Sequence, residues 1–141
     1  MKQDNQSLIE LIEKLSEKEQ DTAITFGVQM GLLRSQKYQY VYNTKIELVR
    51  TRGEVRLTKR ELIEKYPNVI LGIKELESQD HYFEAALLCE SSSRKGLDRR
   101  AMIDYSIAGD YEGAFSKAQK ANDPRRAKIY QSLNRILGSN W

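Results

Sequence analysis

The second half of this sequence is built twice from one pattern, and this internal repetition is the feature that most limits how the chain can fold. The matching residues are 82–85, Cys89 and 99–103 in the first copy, and 111–114, Ala118 and 125–129 in the second. One helical hairpin cannot bury its own apolar stripe, whereas stacked copies share a continuous thin core. The repetition therefore predicts two helical-hairpin repeats between residues 80 and 137.

Aspartates stand between the segments of this repeat. An Asp side chain at the N-cap accepts a hydrogen bond from the free N–H groups of the first helical turn. The candidate N-caps are Asp80, Asp98, Asp110 and Asp123. Pro124 follows the last of them at the first helical position, where the missing N–H of proline costs nothing. Each copy is thus predicted to be two short helices with a tight connection.

Helix starts are also marked in the first half of the chain. In a capping box a hydroxyl accepts from the N3 backbone N–H while the N3 Glu accepts from the N-cap N–H. The boxes are Ser7–Glu10, Ser16–Glu19 and Thr58–Glu61. Leu57 and Leu62 flank the third box as a hydrophobic staple. A helix is therefore predicted over 59–66, and Pro67 ends it.

Apolar spacing predicts the other helices of the first half. A first helix is indicated by a stripe at helical spacing, namely Leu8, Leu11, Ile12 and Leu15. The stretch 21–33 is apolar over a wide arc and is predicted to be the most buried helix. Gly27 and Gly31 in it would let a neighbouring helix approach closely. Another short helix is predicted over 68–78.

The stretch 37–52 fits two structures. Its apolar residues fit a helix, but Tyr38, Tyr40 and Tyr42 also alternate like a strand. Gly53 suits either a helix end or the turn of a short β-hairpin near 46–57. We favour the helix, with the hairpin as the alternative.

We therefore predict an all-α protein of about eight or nine short helices, stacked as antiparallel helical hairpins in a single domain over 1–141. Residues 1–66 hold the N-terminal helices and a basic segment at 50–60, and 80–137 hold the two repeats. Apolar residues make up 40% of the chain, which is below the roughly 45–50% usual for a globular domain. A thin, layered stack accounts for this small apolar share.

The composition also limits the chemistry of the chain. It has one Cys, Cys89, and one His, His81, whereas a structural zinc site usually takes four such ligands. On one helix these two residues would lie about two turns apart, too far for a catalytic pair. We expect a buried apolar role for Cys89 and a capping or first-turn position for His81. Phosphate-binding glycine motifs and nucleophile motifs are absent, so we expect no enzyme, no cofactor and no metal.

The first twenty residues carry charges every few positions. This pattern excludes a signal peptide and a membrane-spanning helix. A single unpaired cysteine is typical of a reducing compartment. We therefore expect a cytoplasmic protein without a membrane partner.

Part of the second copy is similar to a known repeat. The features are Tyr105 before the turn, the turn Gly109-Asp110-Tyr111, the small residues Ala114 and Ala118, Phe115, and Asp123-Pro124 at the end. Together they resemble a tetratricopeptide repeat, over about 82–137, or a looser αα-hairpin solenoid. The resemblance implies an adaptor or complex subunit that binds a segment of another protein in grooves between hairpins.

The repeat places basic residues at equivalent positions, so that they form one stripe on neighbouring helices. These candidate partner-binding residues are Arg99, Arg100, Arg125, Arg126 and Lys128. Such a stripe favours an acidic or amphipathic partner segment. The same cations could instead pair with nearby aspartates and serve solubility alone.

A basic segment offers an alternative function, nucleic-acid binding. Its candidate residues are Arg50, Arg52, Arg56, Lys59 and Arg60, with the aromatic residues Tyr38 and Tyr40. Cations beside exposed aromatics suit single-stranded RNA or DNA. The stretch 58–77 also looks like a helix-turn-helix of the winged type, with a core of Leu62, Ile63, Ile73 and Leu76 and with Asn68 and Lys74 as outward polar residues. This likeness implies duplex DNA as another ligand.

Overall fold

The computed structural model describes residues 4–50, 57–92, 94 and 96–138, and every regular element in this part of the chain is an α-helix. The helices are α1 (Gln6–Ile12), α2 (Glu17–Gln29), α3 (Gln36–Arg50), α4 (Lys59–Lys65), α5 (Val69–Ser78), α6 (Tyr82–Ser91), α7 (Leu97–Ile107), α8 (Tyr111–Lys120) and α9 (Pro124–Leu137). The prediction of an all-α fold of eight or nine short helices is confirmed for these residues.

Side-chain caps fix the start of the N-terminal helices. The capping boxes at Ser16 and Thr58 both form, as predicted. The predicted box at Ser7 is wrong, because α1 begins before it. Asn5 is the N-cap and accepts from the Leu8 N–H at 3.0 Å. An Asn N-cap is as favourable as a Ser N-cap, so the two residues compete for the helix start.

Two of the four predicted aspartate caps are confirmed. Asp110 accepts from the Gly113 N–H and Asp123 from the Arg126 N–H. The other two predictions are wrong. Asp98 lies within the first turn of α7, and Asp80 precedes the N-cap of α6 in a left-handed conformation with φ of 60°.

The connections α5–α6, α7–α8 and α8–α9 have the same three-residue turn. In each, one left-handed residue follows the C-cap, and the next residue is the N-cap of the following helix; the left-handed residues are Asp80, Gly109 and Asn122. In the second turn, Gly109 N–H donates to Ser106 O and Asp110 N–H donates to Tyr105 O. This is the Schellman arrangement, which satisfies the free carbonyls at the helix end. Each turn sends the chain back along the helix that it has just left.

A substitution in the turn at Asn122 should make the protein more stable. Its φ of 56° lies in the left-handed region, which glycine adopts without steric cost. We expect Asn122→Gly to raise the free energy of unfolding by up to about 1 kcal/mol and Gly109→Ala to lower it by about the same amount. Urea denaturation of both variants tests this. A loss of stability in Asn122→Gly would show that the Asn side chain contributes more than the backbone strain costs.

Helices α5 to α9 pack as consecutive neighbours, and the N-terminal helices cover this stack. Helix α2 lies across α7 and α9, α1 packs on α2 and α9, and α4 packs on α6. One hydrophobic core extends from Leu8 in α1 to Leu137 in α9. Cys89 is buried in it, as predicted. The two segments that the sequence predicts to be repeat copies form α6–α7 and α8–α9.

The structure also decides the ambiguous stretch and corrects α2. Residues 46–50 are helical in α3, so the first strand of the hairpin alternative is wrong, and 51–56 lie outside the described residues. Helix α2 ends at Gln29 rather than near 33, because Gly31 adopts a φ of 74°. Gly27 does provide the expected close approach. A Cβ there would lie 2.6 Å from Leu33 Cδ1 and 3.0 Å from Leu8 Cδ2.

Candidate partner-binding groove

Three of the five cations in the predicted stripe form ion pairs within the chain. Arg99 Nη2 lies 3.2 Å from Asp123 Oδ2. Arg100 holds Glu77 with two nitrogens, and its Nε lies 3.1 Å from Glu77 Oε2. Arg126 contacts Asp123 and a buried glutamate of α2. These arginines therefore connect helices to one another.

Arg126 belongs to a buried network that fixes α2 against α9. Glu19 is fully buried, and its Oε2 accepts from the Tyr130 hydroxyl at 2.6 Å. Arg126 Nη1 lies 3.5 Å from Glu19 Oε1. Burial, together with the charge of Glu19, raises the pKa of Tyr130, so this hydroxyl keeps its proton and donates it.

An open groove of about 450 Å³ lies along α8 and α9. It is lined by Phe115, Gln119, Asn122, Asp123, Pro124, Ala127, Lys128 and Gln131. Lys128 and Arg125 are exposed and lie one helical turn apart on α9. Among the described residues neither has a carboxylate partner within ion-pair distance. These two members of the predicted stripe are the ones that remain accessible to an anionic partner.

The repeat explains why this groove is open. Met102 and Tyr105 of α7 are buried, and α8 packs on that helix. The equivalent positions of α9 are Lys128 and Gln131, both exposed. Two buried positions of α7 are thus matched by exposed polar residues in α9. This change from apolar to polar is the sequence signal that would have identified Gln131. The prediction also omitted Gln119 and Phe115, which show no such change.

The structure describes part of the basic segment and its two aromatic residues. Tyr38 is 7% exposed and Tyr40 is 69% exposed, so Tyr38 cannot stack on a base. Lys59 Nζ lies 2.7 Å from Glu90 Oε2, and Arg60 Nε lies 3.6 Å from Glu64 Oε1. Arg50 is the last residue of α3, and Arg52 and Arg56 lie outside the described residues. The aromatic and basic groups that we expected to act together are thus only partly available.

The stretch that looks like a helix-turn-helix forms two helices, α4 and α5, and both pack on α6. Ile63, which we expected in the core, is 46% exposed. Asn68 caps α5 by accepting from the Leu71 N–H. One of the two expected polar contacts to DNA is therefore used within the chain, and Lys74 remains exposed.

A second polar cluster lies between α5, α6 and α7. Asp104 is 3% exposed, and its Oδ2 has no hydrogen-bond partner in the described part of the chain. Burial and the neighbouring Glu77 carboxyl raise the pKa of Asp104 to about 9. Burial also raises the pKa of the Cys89 thiol to about 12, so Cys89 is an unreactive thiol at neutral pH. His81 occupies the N-cap of α6, as predicted.

Comparisons with known proteins complete this description. No protein-family profile, no curated protein and no solved structure matches the chain. Within the described residues no group of three or more His, Cys, Asp or Glu side chains is placed to hold a metal ion. No helix of that part of the chain is both long and apolar enough to cross a membrane.

Proposed function

We propose that this protein is a non-enzymatic interaction module, an adaptor or a subunit of a larger complex, and that the α8–α9 groove binds an acidic segment of a partner protein. The observation that carries the proposal is the exposed cation Lys128, which lines a groove with apolar surface, together with the exposed Arg125 one helical turn before it on α9. The other arginines of the stripe are engaged with acids of this chain. Recruiting them would cost an internal ion pair.

The groove combines charge with apolar surface. Phe115 is half-buried, and Pro124 and Ala127 also line the groove. An exposed ion pair contributes only about 0.2–1 kcal/mol, so two cations alone do not give stable binding. Burial of a partner's apolar side chain against Phe115 supplies further free energy. The cations accelerate association and select against basic segments.

Selection from a peptide library tests this function. The immobilised protein is used to select from a random library displayed on phage, and we expect enrichment of peptides with several acidic residues. The double variant Arg125→Glu/Lys128→Glu should lose this enrichment. The control is Lys14→Glu/Lys74→Glu, which changes the net charge equally at exposed positions away from the groove.

Two outcomes would contradict the proposal. One is the absence of any acidic consensus with the wild-type protein. The other is equal enrichment by the groove variant and the wild type, which would place acidic-peptide binding elsewhere. Circular dichroism of each variant confirms that the helices are retained.

A further inference from the structure

We infer that the partner segment lies in the α8–α9 groove as an extended chain, and that the carboxamides of Gln119, Asn122 and Gln131 bind its main-chain groups. This inference rests on the proposed function and specifies the conformation of the partner. It follows from the lining of the groove and from the comparison of the two hairpins.

The three carboxamides are exposed and line the groove. None of them has a side-chain hydrogen bond to another described residue. A carboxamide offers two N–H donors and one carbonyl acceptor, which is the complement of a peptide group. A peptide in an extended conformation presents unpaired N–H and C=O groups, so it supplies the partners that these side chains lack.

By analogy with the first hairpin, we expect two of these side chains to face each other. Glu90 and Tyr105 occupy the positions equivalent to Gln119 and Gln131, and the Tyr105 hydroxyl donates to Glu90 Oε1 across α6 and α7. In the first hairpin this hydrogen bond joins the two helices. In the second hairpin two carboxamides occupy the same positions and leave the groove between them.

The same comparison disfavours a helical partner segment. A helix satisfies its own main-chain groups and binds through an apolar ridge. Met102 and Tyr105 of α7 are buried, and Tyr105 lies against Gly113 of α8, whereas the matching residues of α9 are the exposed Lys128 and Gln131. The apolar surface of the groove is limited to Phe115, Pro124 and Ala127, which is less than the continuous ridge of a helical segment requires. The groove also offers Lys128 and the three carboxamides, which an acidic extended chain can use.

The length of the groove sets the size of the bound segment. Pro124 and Gln131 mark its extent along α9. At a rise of about 1.5 Å per residue this is roughly 10 Å. An extended chain rises about 3.3 Å per residue. The groove therefore holds about three residues of the partner in direct contact.

Fluorescence anisotropy with synthetic peptides tests the inference. The probe is fluorescein-labelled Asp-Val-Asp-Phe-Asp-Val, in which β-branched residues favour an extended chain. A second probe has the same side chains but N-methyl groups on two central amides. A third is an Ala/Glu-rich helical peptide of the same net charge. We expect the first probe to bind, and N-methylation of two amides to weaken binding about five- to 150-fold, since each main-chain hydrogen bond contributes about 0.5–1.5 kcal/mol.

Protein variants locate the contacts. Gln119→Met and Gln131→Met keep the side-chain length and remove the amide, and each should weaken binding of the first probe several-fold. The control Gln6→Met changes an exposed glutamine of α1 and should leave binding unchanged. Each of the two groove variants should weaken binding of the methylated probe less than it weakens binding of the first probe.

The outcomes separate the inference from the proposed function. Equal binding of the methylated and unmethylated probes, or preferred binding of the helical probe, would overturn the extended conformation. If Arg125→Glu/Lys128→Glu still abolished that binding, the proposed function would stand. No binding of the first probe would also overturn the inference, and the library selection would then decide the proposed function independently.

Discussion

Glu19→Ala is expected to lower the free energy of unfolding by about 3 kcal/mol. Glu19 is fully buried and accepts from the hydroxyl of Tyr130 and from the N–H of Ser16. Alanine would leave these donors without an acceptor and would remove the carboxylate that faces Arg126. The variant would also lose the capping box that starts α2. Urea denaturation followed by circular dichroism measures the change.

Two further variants separate the effect of the buried Glu19 carboxylate on stability from the effect of alanine on helix propensity. Glu17→Ala removes an exposed carboxylate from the same helical turn and should change stability by less than about 0.5 kcal/mol. Glu19→Gln keeps the size of the side chain and one hydrogen-bond acceptor. Its free energy of unfolding should therefore lie between those of the wild type and Glu19→Ala. Equal stability of Glu19→Ala and Glu17→Ala would show that the network between α2 and α9 does not stabilise the fold.

Asp104→Asn is expected to stabilise the protein increasingly as the pH rises from 5 to 8. The pKa of Asp104 is about 9 in the folded protein, whereas an Asp in an unfolded chain has a pKa of about 3.9. Between these values the folded state binds a proton that the unfolded state has lost. This residue therefore makes the wild type less stable with rising pH, by at most about 1.4 kcal/mol per pH unit. Asparagine resembles the protonated carboxyl group and removes the dependence.

The measurement is urea denaturation of both proteins at several pH values. Groups from four parts of the fold surround Asp104, namely Lys18 of α2, Glu77 of α5, Tyr82 and Cys89 of α6, and Arg100 of α7. The pKa of Glu77 is lowered mainly by Arg100, against the opposing effect of burial, so its titration lies below this window. The control is Asp98→Asn, which removes a carboxylate from the exposed side of α7. If the free energies of unfolding of the wild type and Asp104→Asn differed by a constant amount from pH 5 to 8, Asp104 would be ionised over this whole range in the folded protein.

Local features of this fold were predictable from sequence. The caps at Ser16, Thr58, Asp110 and Asp123 depend on residues three positions apart, and all four form. The prediction failed at Asp80, which adopts a left-handed conformation. The N-cap of α6 is instead the next residue, His81. Whether Asp80 or His81 becomes the N-cap depends on the backbone conformation in which helix α5 ends. A capping pattern in the sequence carries no information about that conformation.

The candidate site was less predictable because its pairs are distant in sequence. The repeat placed Arg100 and Arg126 at equivalent positions, but their partners Glu77 and Glu19 come from helices outside the repeat. The sequence therefore could not separate the arginines that hold helices together from those that remain exposed. It contained the change from Met102 to Lys128, which distinguishes the two hairpins. The resemblance to tetratricopeptide repeats stays a prediction.

Helix α2 has a mechanical consequence for the groove. In a stack of hairpins that contact only their neighbours, the curvature depends on small rotations at each interface. Such a stack can therefore change its curvature easily. Here α2 bridges α7 and α9, with hydrogen bonds to Ile107 and Tyr130, and so resists changes in that curvature. A partner would therefore meet a groove of nearly fixed width. The free energy of binding is then not reduced by a cost of reshaping the receptor.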